Sequence, residues 1–517
     1  MLKKEFRYAV LFTCVIFSQF AEAQKNKYQP TWESLMSYQI PDWYKDAKFG
    51  IFIHWGPTTV PAFGSAEWYG FHMWNEGKVD ALGNPSTEPS KAYAYHVANY
   101  GKPEDFGYTK FIPMFKAENF DAKAWVDLFV EAGAQYIVPV GEHCDGFAMY
   151  DSKVTRWNSV NMGPKRDIVG EIFAEARSRN IKVGVSSHFA YGWHWWTYED
   201  KYETTDPELK DFYWEPHQRW EPASEAYVKH FSKRTTDLMT QYKPDLLWFD
   251  LGFSEPAYED ARKKIIADYY NQGLANQQEV VLNYKNIRYR GAPDGAAVLD
   301  IESGKLDRIR TEAWQTDMSL GGWKWGYTSD YPLRAPASYL HDLIDVVSKN
   351  GCLLLNVAPN KQGEIPEPQQ RVLKVIGEWL QVNGEAIYST RPFQVFGQGP
   401  TNASMKLHGN THEQGFTSDD FRYTQNGQTV YAIWLVPDER KTISLSALGY
   451  ENRIVNDVIE DIQLLGNTTK LNWIQQKDEL VIELPDSLEK DQPLCFAINL
   501  DDPPSDILGE EKARSDF

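Results

Sequence analysis

The chain has few cysteines, only four among 517 residues. They stand far apart, at Cys14, Cys144, Cys352 and Cys495, which argues against a disulfide framework and against a zinc motif of paired cysteines. We therefore expect a large fold that is held together by its core. Once the segment around Cys14 is removed, as argued below, we predict two buried thiols and one thiol that lines a site.

Positive charge is also in short supply. The chain has 53 Lys and Arg residues against 72 Asp and Glu, a formal net charge of −19. This balance argues against nucleic acid and against an anionic membrane surface as partners. It says nothing against a local basic pocket for an anionic substrate.

Long apolar runs are nearly absent, and the one that exists stands near the N-terminus. Ala9–Phe20 is mostly apolar, follows Lys3, Lys4 and Arg7, and precedes a small-x-small site at Ala21-Glu22-Ala23. This is the pattern of a signal peptide over residues 1–23 and is too short to span a bilayer. We expect an exported protein without a membrane span, secreted or periplasmic, or of lysosomal type in a eukaryote.

Aromatic residues, by contrast, are abundant. Trp, Tyr and Phe make up 14% of the chain, more than core packing needs, which fits a protein that stacks on planar or sugar-like ligands. The length predicts a large catalytic domain and a smaller second one. It leaves the oligomeric state open, including a homo-oligomer.

Short apolar runs alternate with amphipathic segments over residues 24–390, after an opening helix predicted at Trp32–Asp46. Such alternation is typical of βαβ units and predicts an α/β fold, a (β/α)₈-like TIM barrel with inserted loops. A doubly wound sheet is the second choice, because no Gly-rich phosphate loop follows the first strand. The predicted strands are Lys48–Gly56, Tyr136–Val140, Lys182–Ser187, Leu246–Phe249, Glu279–Asn283, Ala297–Glu302 and Cys352–Asn356.

The pattern changes near residue 391. Short alternating segments separated by turns continue to residue 500, which predicts a C-terminal antiparallel β-sandwich over 391–500. Residues 501–517 are polar and acidic and are predicted to be a disordered tail. Two long segments, 75–106 and 190–220, follow predicted barrel strands and are rich in Trp and Tyr; we interpret them as a substrate-binding rim, or else as packing for the second domain.

The stretch Lys243–Gly252 contains the residue that organises the rest. Leu246 to Phe249 form an apolar run that fits a buried strand, and Asp250 ends it. In a TIM barrel that end of a strand is the mouth of the active site, so Asp250 is a candidate nucleophile or general base. The plainer interpretation is a turn or helix-capping Asp.

Other polar and aromatic residues follow the remaining predicted strands and would converge on the same mouth. Two of them, Asp250 and Glu302, are carboxylates on separate strands, the equipment for glycoside hydrolysis. A metal site built from His54, His143, Asp145 and Asp250 is the competing chemistry, although no metal-ligand spacing supports it. The chain also lacks the Gly-x-Ser-x-Gly motif of serine hydrolases. The full set is His54, Trp55, Glu67, Trp68, Glu142, His143, Asp145, Ser187, His188, Asp250 and Glu302.

Over about 32–500 the sequence resembles the α-L-fucosidases of glycoside hydrolase family 29. The resemblance depends on several pieces taken together. They are Trp43-Tyr-Lys-Asp-Ala-Lys-Phe-Gly-Ile-Phe-Ile-His-Trp-Gly56, Ser65-Ala-Glu-Trp68, Gly163-Pro-Lys-Arg-Asp-Ile-Val169, Leu247-Trp-Phe-Asp250, Asn350-Gly-Cys-Leu-Leu-Leu-Asn356 and Trp379-Leu-Gln-Val-Asn-Gly-Glu-Ala-Ile-Tyr388.

The resemblance implies an exo-acting, retaining enzyme that needs no metal or organic cofactor. It implies that Asp250 is the nucleophile that forms a covalent fucosyl-enzyme. The substrate would be a fucosylated oligosaccharide or a fucose-containing polysaccharide, including sulfated ones. The implied sugar-binding residues are His54, Glu67, Trp68 and His143 for the hydroxyls, and Phe52, Trp248 and Trp325 for the aromatic wall.

The chain departs from the family pattern at several positions. Cys144 stands where a second adjacent His is usual, Ser186 lies in a run that usually carries two Tyr, and Lys285 replaces an Arg. These changes leave the preferred linkage and the efficiency on plain fucosides open. They also motivate an alternative, a fucose-binding protein on a decayed enzyme scaffold, which would not need both Asp250 and Glu302.

The acid/base is assigned to Glu302. Family members often have a carboxylate in a Trp-Glu pair near this position, but here Gln315 follows Trp314. Glu302 directly ends a predicted strand, whereas the rivals Asp307 and Glu312 lie among basic residues that would favour their charged forms.

Overall fold

The computed structural model describes residues 28–77, 87–286, 288–401, 415–451, 458–504 and Leu508. The predicted signal peptide lies outside the described residues. So does most of the predicted acidic tail.

Eight parallel strands form a closed barrel in chain order, which confirms the predicted TIM-like fold. Strand β8 pairs with β1, with Phe49 opposite Leu353, and so closes the sheet. The strands are β1 (Phe49–Ile53), β2 (Tyr136–Glu142), β3 (Lys182–Ser187), β4 (Leu246–Phe249), β5 (Val281–Lys285), β6 (Val298–Asp300), β7 (Trp314–Ser319) and β8 (Gly351–Val357).

Strand β7 was not predicted, and its sequence explains why. Trp314–Ser319 has no apolar run, because Gln315, Thr316 and Asp317 stand consecutively in it and are themselves buried. Only one pair, Asp300 and Gln315, joins β6 to β7, and the Gln315 amide also donates to the Asp300 carboxylate. A polar strand is therefore tolerated in the barrel because its buried side chains form hydrogen bonds with those of a neighbouring strand.

Helices cover the outside of the barrel and pack on its apolar strands. The predicted opening helix at Trp32–Asp46 is wrong, since α1 and α2 are separate short helices. Pro41 precedes the second helix and disfavours helical geometry at Ile40. The helices are α1 (Trp32–Leu35), α2 (Asp42–Ala47), α3 (Tyr69–His72), α4 (Lys91–Asn99), α5 (Ala122–Glu131), α6 (Ile168–Ser178), α7 (Lys210–Tyr213), α8 (Glu225–Tyr242), α9 (Glu259–Asn276), α10 (Pro336–Ser348) and α11 (Glu367–Asn383).

Among the helices that the structure describes, none combines the length and apolar character needed to cross a bilayer.

A second domain of two antiparallel sheets follows, as predicted. One sheet has the order β13-β16-β11-β10-β9 and the other β12-β15-β14. Ile443 and Ile482 of the smaller sheet pack with Val430 and Phe496 of the larger one in a single apolar core. The strands are β9 (Arg391–Gln398), β10 (Phe421–Asn426), β11 (Thr429–Trp434), β12 (Thr442–Leu445), β13 (Ile459–Leu464), β14 (Trp473–Gln475), β15 (Leu480–Glu483) and β16 (Leu494–Leu500).

A buried ionic cluster ties the two domains together. Arg422 on β10 donates to Asp345 on α10 at 2.6 Å, and Lys349 donates to the same carboxylate at 2.8 Å. Burial raises the pKa of Asp345, but the two cations outweigh this effect and hold it well below its usual range. The second domain is therefore joined to the barrel by charges that are fully removed from water.

Candidate active site

The carboxyl ends of the barrel strands surround a cavity of about 300 Å³. Most of the predicted site residues line it: His54, Glu67, Trp68, His143, Trp248, Asp250, Glu302 and Trp325. Six further residues line the same cavity: Ser65, His188, Leu251, Lys285, Asp317 and Trp323.

Asp250 follows β4 and faces into this cavity. Its Oδ2 atom accepts from Nδ1 of His188 at 2.9 Å, and Nε2 of His188 lies 3.0 Å from Oγ of Ser186. Its Oδ1 atom is buried, has no hydrogen-bond partner among the described residues and lies 3.4 Å from Nζ of Lys285. One oxygen is thus oriented by His188, and the other faces the ammonium of Lys285.

The charge state of Asp250 follows from these neighbours. Burial acts to raise the pKa of the carboxyl, but Lys285 and then His188 outweigh burial and hold the pKa well below its usual range. Asp250 is therefore an ionised carboxylate with low solvent exposure.

Glu302 stands two residues after β6, with its side chain 14% exposed. Its Oε2 atom accepts from Nζ of Lys285 at 2.7 Å. Because Asp250 lies 3.4 Å from the same nitrogen, the two carboxylate oxygens are at most about 6 Å apart. Asp307 and Glu312 are less favoured as the acid/base because of their basic neighbours in the sequence, yet Glu302 itself has a cation partner.

Lys285 ends β5 and connects the groups of the site. Its ammonium also lies 3.0 Å from Asp317 and stands over the rings of Trp248 and Trp325, at 4.8 and 5.5 Å from their centroids. Burial acts to lower the pKa of Lys285, but the carboxylates of Asp317, Glu302 and Asp250 outweigh it and raise the pKa well above its usual value. Lys285 therefore remains charged.

Asp317 was missed by the sequence analysis because strand β7 was missed. Burial, together with the neighbouring Asp300, raises the pKa of Asp317 well above its usual value. One signal could have found it. The predicted strands numbered seven, and a barrel of eight required another between β6 and α10.

The opposite side of the cavity is built from neutral imidazoles. Nδ1 of His54 lies 2.8 Å from the amide oxygen of Asn356, and the rings of His54 and His143 are 5.9 Å apart. Burial lowers the pKa of both, to about 3 for His143. These rings can donate and accept hydrogen bonds with sugar hydroxyls without a net charge.

Glu67 completes this side. Its carboxylate accepts from Ser65 Oγ at 2.6 Å and from the backbone N–H of Gly326 at 2.9 Å. Burial raises the pKa of Glu67, against the opposing effect of those bonds. Two donors therefore fix the orientation of this carboxyl group at the cavity wall.

The aromatic wall is only partly as predicted. Trp248 and Trp325 line the cavity, whereas Phe52 is fully buried beneath them and does not line it. The Phe52 ring lies 5.0 Å from Trp248 and 4.6 Å from His54. Phe52 therefore packs against Trp248 and His54, which line the cavity, without lining it itself.

Several strand-end residues do not join the site. Glu142 is buried in an ion pair with Arg234 at 2.6 Å, and Ser187 donates to the same carboxylate. The Trp55 indole donates to the backbone of Asn360. The expectation that Glu142 and Ser187 converge on the mouth is wrong, because their polar atoms bond these structural partners. Trp55 lines a small cavity together with His54, Glu67 and His143.

The competing metal set of His54, His143, Asp145 and Asp250 does not assemble among the described residues. Tyr108 donates to Asp145 at 2.5 Å, and burial raises the pKa of Asp145 to about 6. Ring nitrogens of His54, His143 and His188 instead lie within 4.8 Å of one another. Because both nitrogens of His188 already face Asp250 and Ser186, this group serves hydrogen bonding.

The thiol prediction is partly right. Cys144, Cys352 and Cys495 are free and buried, but Cys144 lies within the apolar core and is not among the residues that line the cavity. The predicted site-lining thiol is therefore missing.

The two rivals of Glu302 lie elsewhere. Asp307 accepts from the adjacent Arg308 at 2.8 Å. Glu312 lines a different cavity, together with Met36 and Arg391. Glu302 therefore remains the candidate acid/base. It lines the described cavity and, like Asp250, contacts Lys285.

The aromatic loop 190–220 packs mainly on the barrel rather than on the second domain. Trp195 is fully buried, 4.9 Å from Trp68, and Trp193 stacks on His217 at 3.6 Å. None of its rings is among the described residues that line the cavity, and the rings pack on each other and on Trp68.

Comparisons with known proteins agree over nearly the whole chain. The sequence profile described as alpha-L-fucosidase matches residues 15–385, and the alpha-L-fucosidase C-terminal domain matches 414–501. The tissue alpha-L-fucosidase of Homo sapiens is 31% identical over 481 residues, which is 91% of each chain. The plasma alpha-L-fucosidase of Homo sapiens is 30% identical over 469 residues, 89% of each chain.

Solved structures give the same result. The alpha-fucosidase of Thermotoga maritima in complex with a mechanism based inhibitor superposes with a TM-score of 0.72 at 28% identity. The alignment covers 92% of this chain and all of that one. The same protein in complex with fucose superposes with a TM-score of 0.71.

Proposed function

The chain belongs to the alpha-L-fucosidase family, and we propose that it releases terminal α-L-fucose with Asp250 as nucleophile and Glu302 as acid/base. One observation carries this assignment, the placement of both carboxylates on the ammonium of Lys285. Their oxygens are at most about 6 Å apart, which is below the roughly 6.5–9.5 Å of inverting glycosidases. This spacing supports direct attack by the Asp250 carboxylate rather than by a water held between the two groups.

In the first step, a carboxylate oxygen of Asp250 forms a bond to the anomeric carbon while the glycosidic C–O bond breaks. The proton of the Glu302 carboxyl group goes to the departing oxygen.

In the second step, the Glu302 carboxylate takes a proton from water, whose oxygen then attacks the same carbon. The ester bond to Asp250 breaks and its electron pair returns to the carboxylate. Two inversions give net retention of configuration.

Lys285 fits both stages because it touches both carboxylates. Negative charge is on Asp250 before the first step and on Glu302 after it. An ammonium between the two can stabilise either state without moving far.

The sugar hydroxyls would be held by His54, His143, Glu67 and Trp68, and the ring would lie against Trp248 and Trp325. The alternative, a fucose-binding protein without activity, is not favoured, because a pure binder has no need for two carboxylates on one cation. The substrate would be a fucosylated oligosaccharide or a fucose-containing polysaccharide met outside the cytoplasm. Export is supported by the signal-like pattern over residues 1–23 alone.

The test is turnover of an aryl α-L-fucoside by the mature chain, with the product followed by proton NMR. We expect α-fucose to appear first and β-fucose only later, by mutarotation. If β-fucose appears first, the mechanism is inverting, and if no fucose is released, the chain is a binder.

A further inference from the structure

Trp323 differs from every other described residue that lines the cavity, because it is exposed. Its side chain has 49% of its surface accessible, whereas the remaining lining residues are buried or half-buried. The next residue but one, Trp325, is 8% exposed and lies in the wall. A half-exposed indole that also lines a binding cavity can offer its apolar face to a ligand.

The turn that presents Trp323 is firmly built. Ser319 Oγ donates to the carbonyl of Lys324 at 2.7 Å and accepts from the backbone N–H of Gly321 at 3.2 Å. Gly322 has φ of +65°, which favours glycine, and its N–H donates to the carbonyl of Ser319. Trp323 is therefore held at the rim by a fixed turn.

Two side chains brace this turn from outside. The hydroxyl of Tyr331 lies 2.8 Å from Ser319 Oγ, and a Cβ on Gly321 would come within 2.4 Å of the Tyr331 ring. Lys324 points to Asp330, at 2.6 Å. A rigid platform loses little conformational entropy when a ligand binds to it.

The cavity itself is small. Its volume of about 300 Å³ is at the lower end of the range for ligand pockets. A terminal sugar would fill it, so the unit attached to that sugar must lie at the rim, where Trp323 stands.

We propose that Trp323 forms the platform of a subsite for the pyranose to which the fucose is attached. The indole would stack on the apolar C–H face of that ring. This inference rests on the proposed function and adds a preference for glycan leaving groups over leaving groups that have no ring. It does not concern the chemical step.

The test compares two substrates that share the fucosyl group. 2′-Fucosyllactose has a sugar leaving group, and α-L-fucosyl fluoride has none. For Trp323→Ala, we expect the ratio of kcat/KM on the first to that on the second to fall roughly tenfold, equivalent to about 1.4 kcal/mol. Trp323→Phe keeps a stacking face and should recover most of the ratio.

Trp220 provides the matched control. It is 42% exposed, lies on the loop after β3 with its ring 5.5 Å from His194, and is not among the described residues that line the cavity. Trp220→Ala should leave the ratio within about twofold of the wild type, well short of the tenfold change. An equal fall in both alanine variants would overturn the proposal, as would an unchanged ratio in Trp323→Ala.

The failure of the proposed function would look different. In that case the wild-type chain would not hydrolyse the fluoride at all. Since Trp323 is half in solvent, its alanine variant should fold, and its thermal midpoint is measured alongside.

Discussion

The ammonium of Lys285 lies 2.7 Å from Glu302, nearer than the 3.4 Å that separates it from Asp250. One buried cation therefore serves both carboxylates of the proposed mechanism. Asp317, at 3.0 Å, fixes it from behind. One buried ammonium thus links Asp250 after β4, Glu302 after β6 and Asp317 in β7.

Replacing Lys285 by Met should reduce kcat/KM by roughly 10²–10³-fold, since the charge that stabilises both stages is lost. The acid limb of the pH profile should also move to higher pH. Lys285 is the largest of the influences that lower the pKa of Asp250, so its removal lets that pKa rise and the nucleophile become protonated sooner. Lys285→Arg keeps the charge and should lie between; an unmoved acid limb in the Met variant would contradict this role.

Replacing Asp250 by Ala should remove turnover by roughly 10³-fold or more, while fucose affinity is largely kept, because other groups hold the sugar. Azide should restore activity on an activated fucoside by occupying the vacated space. The rescued product should be β-fucosyl azide, the result of a single inversion. Substantial unassisted activity in this variant would mean that another residue is the nucleophile.

Replacing Glu302 by Gln should impair substrates with poor leaving groups far more than those with good ones, since only the former need a proton. The comparison is between an alkyl fucoside and a dinitrophenyl fucoside, both measured as kcat/KM. Glu312→Gln is the control, because Glu312 lines a different cavity and should behave as the wild type. Equal losses on both substrates would indicate that Glu302 acts in binding.

Replacing Asp345 by Asn should lower the free energy of unfolding by about 3–5 kcal/mol, since Lys349 and Arg422 would lose a buried partner. The folded-state pKa of Asp345 is depressed, so its contribution is present above the unfolded value of about 4 and is lost progressively as pH falls from there towards the folded value. The difference in thermal midpoint between wild type and variant should therefore shrink from pH 6 to pH 3.

The control for that experiment is the exposed pair Lys441 and Asp486, whose side chains are 71% and 97% accessible. Asp486→Asn should give no measurable change in midpoint at either pH, because solvent screens the pair. A constant gap for the Asp345 variant across the same pH range would show that packing, and not charge, holds the interface.

The barrel, the sandwich and most of the residues that line the cavity could be predicted from the sequence. The apolar run Leu246–Phe249 is too short for a helix and fits a buried strand. In a barrel, parallel strands bring their carboxyl ends to one mouth, where Asp250 and Glu302 are expected to lie close together. The single helix predicted at Trp32–Asp46 is wrong because Pro41 disfavours helical backbone geometry at Ile40.

Which polar side chains face the cavity, and which are bonded to structural partners, follows from the three-dimensional fold. In the sequence, Glu142 and Asp145 at the end of β2 are candidates for the site just as His143 is. In the fold, Arg234 forms an ion pair with Glu142, and Tyr108 donates a hydrogen bond to Asp145. Strand β7 and Asp317 were invisible because partners inside the barrel, not apolar side chains, satisfy that strand. Long-range pairs of this kind leave no local pattern, since the energy that fixes them comes from neighbours distant in the chain.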